Sequence, residues 1–220
     1  MKIKKLLSNS IIISLLFAAL VTLIIAAGGV LNRADTTVQD AWFQSPRALD
    51  GEIIVIGIDD KALNEIGQYS NWTRDVYAEA LEKLAEDPDN LPSVVAIDAL
   101  FTVPSDPEAD ARLVAAADKL GNVVTATFAA IGTQVVYDET TGSTYLDTNA
   151  VLSYEEPFEE LKAVTRQGHI NAMYDSDGIL RHSLLFVTPE GERVNSMAYT
   201  TALLYGEQNG IDIKEPPASS

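Results

Sequence analysis

The chain has 220 residues, 15 Lys and Arg against 32 Asp and Glu, a formal net charge of −17 and no cysteine. Disulfides, thiolate metal sites and cysteine nucleophiles are therefore excluded. So is a nucleic-acid partner, because an acidic surface repels a phosphate backbone and these cations are too scattered to form a basic stripe.

The charge is unevenly spread. Lys2, Lys4 and Lys5 precede Asn32 with no acid among them, so every acid lies in the part that follows. From Ile11 to Leu31 no residue is charged, and Ile, Leu, Val and Ala dominate. At about 1.5 Å per helical residue, 21 residues reach roughly the 30 Å of a bilayer's hydrocarbon. A transmembrane helix over residues 11–31 is the direct reading. Lysines before it and acids after it keep residues 1–10 in the cytoplasm and send the rest out of it. The competing reading is a cleaved signal peptide, with Ala26, Ala27, Gly28 and Gly29 suited to a peptidase. The run is longer than the roughly 7–15 residues of a signal's apolar region, which favours a retained anchor.

The acidic part is long enough to bury its own core. Ile53 to Ile58 is a continuous apolar run ending on Asp59 and Asp60, the pattern of a buried strand emerging from a sheet. Thr73 to Glu86 places Val76, Tyr77, Ala80, Leu81 and Leu84 on one helical stripe, with Thr73 as its cap. Val94 to Ile97 repeats the strand pattern and closes on Asp98, which suggests a parallel strand–helix–strand unit. Ala109 to Leu120 reads as a helix ended by Gly121, and Asn122 to Phe128 as a third strand. Residues 133–146 have hairpin composition, and Glu156 to Lys162 a short helical turn. His169 to Tyr174 and Ile179 to Thr188 are strand candidates joined antiparallel through Asp175-Ser176-Asp177-Gly178. Ser196 to Tyr205 is a last helix, and residues 213–220 read as a linker. The sum is an α/β domain over residues 32–212, a central mixed sheet flanked by helices.

Asp59, Asp60 and Asp98 are placed at the carboxyl edge of neighbouring parallel strands, where open α/β sheets bind ligands and three carboxylates can hold a divalent cation. The plainer reading makes Asp59 or Asp60 a helix cap and pairs Asp98 with Arg74 or Arg181. No phosphate-gripping glycine loop or nucleophile motif accompanies the acids, which favours the plainer reading. Asp175-x-Asp177-Gly178 resembles part of a calcium loop. Aligning Gly178 as its sixth residue, however, puts Met173 first and Leu184 twelfth, and neither ligates a hard cation. His169 and His182 flank that turn without a serine elbow, so structural roles are expected for both. Trp72 beside Arg74 could line an anion pocket.

Taken in order, the pieces resemble the second family of CHASE domains. They are Asp40-x-Trp42-Phe43, the run Ile54 to Asp60 with Leu63 and Ile66-Gly67, Trp72-x-Arg74 with Tyr77, and Val94 to Phe101. Asp110, Asn122-Val123-Val124, Pro157, Gly168-His169-Ile170-Asn171 and the stretch from Asp175 to Arg181 complete the set. The resemblance implies an extracytoplasmic sensor without catalytic residues or cofactor. It also implies one membrane helix before the domain, with further membrane helices and a cyclase or kinase output after it. Where the family tends to have W-P-W-P-R, this chain has Ser70-Asn71-Trp72-Thr73-Arg74.

The expectation is a membrane-anchored sensory domain, homodimeric, answering an unidentified small molecule or protein from the periplasm or cell exterior. Asp59, Asp60, Trp72, Arg74, Asp98, Asn171, Asp175, Asp177 and Arg181 are its candidate ligand-binding or structural network. The alternatives are an exported metal-dependent hydrolase using Asp59, Asp60 and Asp98, or an envelope adaptor that transmits nothing.

Overall fold

The computed structural model describes residues 10–27, 30–43, 53–175 and 177–214, which divide into two compact units, Met1–Gly57 and Ile58–Ser220.

The first unit contains helices α1 (Ser10–Ala27) and α2 (Val30–Phe43). Helix α1 carries no charge and exposes its apolar side chains all round, Leu15, Phe17, Leu23 and Ile24 each by more than half. Thr22, polar on this apolar rod, is satisfied locally by donating its hydroxyl to the Ala18 carbonyl at 2.9 Å. Among the described residues no helix is long and apolar enough to cross a membrane. At about 1.5 Å per residue α1 reaches about 27 Å, short of the roughly 30 Å required. The expected single span from Ile11 to Leu31 is described only in part: α1 runs from Ser10 to Ala27, residues 28 and 29 lie outside the described residues, and α2 is an amphipathic helix with Arg33, Asp35 and Asp40. Gly28 and Gly29, the basic residues 1–9 and the tail residues 215–220 lie outside the described residues.

Ile53 to Ile58 is not a strand. Ile54, Val55 and Ile56 are exposed, and the run joins no ladder. Apolarity encodes a demand for burial but not the edge on which to pair, so the parallel unit expected between this run and Val94–Ile97 is absent from the described sheet.

The second unit begins with α3 (Asp60–Ile66), a 3₁₀ turn at Tyr69–Asn71 and α4 (Asp75–Leu84). Thr73 does not cap α4; its hydroxyl donates to Asp75 Oδ2 at 3.0 Å, and Arg74 holds the cap position. Strand β1 (Val95–Ile97) and α5 (Pro107–Leu120) follow. Asp106 Oδ1 accepts from the amides of Glu108 and Ala109, Pro107 opens α5, and Gly121 closes it at φ 68°, a left-handed position that glycine adopts without strain. Next come β2 (Val123–Asp138), β3 (Ser143–Glu155), α6 (Glu159–Val164), β4 (Arg166–His169), β5 (Phe186–Val187), β6 (Val194–Asn195) and α7 (Met197–Asn209).

Strand β2 organises the sheet. Its first residues run parallel to β1, with Val95 opposite Val123, and parallel to β4, with Thr127 opposite His169. Its remainder pairs antiparallel with β3, as the hairpin composition predicts, but the hairpin is much longer than residues 133–146 and carries two register shifts. Strands β5 and β6 form a separate ribbon. The antiparallel pairing expected of His169–Tyr174 with Ile179–Thr188 is reduced to one bridge, Met173 with His182. The mixed sheet is flanked by helices, as composition and order suggest. On one face Leu81, Leu113, Ala117, Val123, Phe158 and Leu161 close the core. On the other, α7 lies so close that a Cβ at Gly168 would stand 2.5 Å from the Met197 Cα.

Candidate functional site

Arg74 is the centre of a largely buried polar network. It sits at the start of α4, and its guanidinium donates to Asp110 on the first turn of α5 and to the Val103 carbonyl in the β1–α5 loop. Phe158 lies under it at 4.5 Å and Phe101 at 5.7 Å, so the cation is boxed by two aromatic faces. The Phe158 amide donates to the Phe101 carbonyl at 2.9 Å, which closes the box. Asp110 is 7% exposed and also accepts from the Ser105 amide at 2.7 Å. Burial acts to raise its pKa, but the Ser105 amide and the Arg74 guanidinium outweigh it and hold the carboxyl below its ordinary value. These bonds fasten α4, the β1–α5 loop, α5 and the segment before α6 together. Arg74 turns its guanidinium to Asp110 and Val103, not to a pocket shared with Trp72. The Trp72 indole instead donates to the Gly67 carbonyl at 2.8 Å and packs on Tyr69.

The strand-end acids do not converge. Asp59 caps α3 by accepting from the Ala62 amide at 2.9 Å, Asp60 is its first residue, and Asp98 is exposed after β1. Among the described residues no group of three His, Asp or Glu could hold a metal ion. The expected pairing of Asp98 with Arg74 or Arg181 is also corrected. Arg74 takes Asp110, and Arg181 takes Asp175 at 2.8 Å and Asp177 at 2.8 Å. A local turn brings those two acids to Arg181, whereas Asp98 has no such geometry. Arg181 lowers the Asp177 pKa to about 2, and Gly178 takes φ 81° to close the reversal. The motif is a self-contained turn, as its mismatch to a calcium loop indicates.

Asn171 too has a definite role in the structure. Its side chain pairs with both main-chain groups of Ala129, accepting from the amide at 3.0 Å and donating to the carbonyl at 2.6 Å. It thereby continues the β2–β4 ladder by one step, where β4 ends and β2 goes on to the hairpin. Two residues before it, His169 is 1% exposed.

Sequence reasoning missed three members of the network: Asp110 as the partner of Arg74, and Phe101 and Phe158 as its walls. An acid on the first turn of α5, just after the Asp106-Pro107 cap, was a usable signal for the first. Nothing in the local pattern marks the two phenylalanines. A shallow groove between α4 and α5 is salt-bridged surface, where Arg112 spans Glu82 at 2.6 Å and Asp75 at 3.3 Å.

No curated protein and no solved structure matches the chain. The family model for the CHASE2 domain matches residues 16–218, from within α1 to beyond α7. With the match covering nearly the whole length, the chain belongs to the CHASE2 family of extracytoplasmic sensory domains, which are sensory rather than catalytic.

Proposed function

We propose that this chain is the sensory part of a membrane-anchored receptor, placed outside the cytoplasm and coupled through its N-terminal segment to a cyclase or kinase output. The observation that carries this is α1: a helix of 18 residues without a charge, whose apolar side chains are exposed all round. Water does not tolerate such a rod, and lipid does. In the sequence the uncharged run continues to Leu31, which extends the reach to about 30 Å. Three lysines before it and the acid-rich part after it favour an orientation with the α/β domain on the far side. The acids at the strand ends do not form a metal centre among the described residues, which weighs against the hydrolase reading.

Signal transmission is a population shift. A stimulus moves the membrane segment only by binding one arrangement of the receptor better than another, and a swing from 1:99 to 99:1 takes about 5.5 kcal/mol of differential affinity. A homodimer in which α2 forms the joint supplies two such arrangements; Val38 and Trp42 are exposed on that helix and available to a second copy.

The chain has no native cysteine, so one introduced thiol is an unambiguous reporter. Glu139→Cys lies at the exposed tip of the β2–β3 hairpin. In intact cells stripped of any outer barrier, a membrane-impermeant maleimide is expected to label it, and the labelled chain to sediment with membranes after alkaline washing. Protection of the thiol until the membrane is lysed, or release of the chain into the soluble fraction, overturns the placement.

A further inference from the structure

Among the described residues His169 is the one buried ionisable group that the Arg74 network and the Arg181 turn leave unexplained. It ends β4, opposite Thr127 of β2, and is 1% exposed. Its Nδ1 accepts from the Asn171 amide at 3.3 Å, so the ring's proton resides on Nε2. Among the described residues Nε2 has no hydrogen-bond partner, nor has the Oγ1 of neighbouring Thr127. Two residues on, Asn171 grips Ala129 by both of its main-chain groups. The ring and the grip are linked through the Asn171 backbone, at the point where β2 passes from β4 to the hairpin.

We propose that His169 is a proton-operated latch: neutral, it accepts the Asn171 amide and holds the Asn171–Ala129 clamp shut; protonated, it turns that acceptor into a donor and opens the clamp. Proton uptake at Nδ1 sets N–H against N–H where a hydrogen bond had been, and places a cation where no counter-charge faces it. The surrounding elements are poor in charge. Strand β2 carries no ionisable group from Val123 to Val136, and β6 carries none. On α7 are Tyr199, Tyr205 and Glu207, and Glu207 is taken by Arg166 of β4 at 3.0 Å. Tyr154 of β3 reaches toward Thr127, and beyond it Glu156 and Lys162 pair with each other at 2.7 Å. Burial lowers the imidazole pKa below its ordinary 6.5. The unfolded or opened segment therefore binds the proton more tightly than the closed one. The clamp is fully stable above about pH 6.5 and loses stability as pH falls from there toward the lowered value. As an input to signalling, the latch rests on the sensory reading; as a property of the domain it does not, and the test reads the domain alone.

The full chain contains two histidines, so His182→Gln, at an exposed position, leaves His169 as the sole imidazole. In that variant the ring is titrated by NMR from pH 8 to 5, while amide exchange of Asn171 and Ala129 is followed and corrected for intrinsic rates. Loss of protection by about tenfold per unit of pKa difference, beginning near pH 6.5 and levelling off where the ring titrates, is expected. His169→Gln, which cannot titrate, is expected to give a flat profile. Equal loss of protection in His169→Gln overturns the latch, as does a ring that titrates while the clamp stays protected. If His169→Gln fails to fold, the His182→Gln titration decides alone: protection that falls from about pH 6.5 and levels off where the ring titrates sustains the proposal, and protection unchanged over that window overturns it.

Discussion

Two arginines in this domain each hold aspartate, and they do so under opposite conditions. Arg181, its side chain 8% exposed, binds Asp175 and Asp177, six and four residues away, which are 30% and 45% exposed. Arg74 binds Asp110 and the Val103 carbonyl, 36 and 29 residues away, between two phenylalanine rings. The first closes a turn that its own sequence already favours. The second joins α4, the β1–α5 loop, α5 and the segment before α6, which have no reason to meet until the core has formed. The arginines are buried alike; the acids are not, and breaking a pair is costly where the partner left behind is a desolvated charge, as Asp110 is, and less so where water still reaches it.

That contrast is sharpened most by Arg74→Ala. It strands Asp110 at 7% exposure, and a loss of about 3–5 kcal/mol is expected in denaturant unfolding of the full chain. Asp110→Asn is expected to cost less, about 1.5–3 kcal/mol at neutral pH, since the Ser105 amide and the aromatic box remain. Its deficit also depends on pH. The Asp110 carboxyl is held below 3.8 in the folded state, so its contribution is present above about pH 4 and is lost as pH falls through the lowered value. Wild-type and Asp110→Asn stabilities should converge on the acid side, and parallel curves down to pH 2 would show that the pair is not the source. Arg181→Ala is expected to cost less than Arg74→Ala, about 1–3 kcal/mol, because water reaches the two aspartates it leaves, and to quicken proteolysis near Gly178. A loss as large as that of Arg74→Ala would break the distinction between the two sites.

The same division runs through the rest of the fold. The helix at Pro107–Leu120 was legible because Asp106, Pro107 and Gly121 are local start and stop signals that act within a turn of the residues they govern. The hairpin and the Asp-x-Asp-Gly turn were legible for the same reason. Val94 to Ile97 was correctly read as a strand, yet its partner is β2, not the apolar run before it. Ile53 to Ile58 was misread altogether, since six apolar residues specify neither the neighbour nor the direction of pairing. Among the site candidates, Asp59 as a cap follows from short-range spacing, whereas Arg181 was expected on Asp98 and holds the aspartates of its own turn instead. Asn171 could be named only through a family resemblance, because its clamp on Ala129 spans 42 residues.

By itself, the sequence determined the acidic balance, the uncharged N-terminal run, the helix limits set by caps and the local turns, all of which depend on residues within a few positions of one another. Only the tertiary structure decided that Arg74 meets Asp110 between Phe101 and Phe158, that the strand-end acids stay apart, and that His169 is sealed beneath the Asn171 clamp. Those contacts form when distant segments share one core, and burial and desolvation, which give them their energies, exist only once the chain has closed around them.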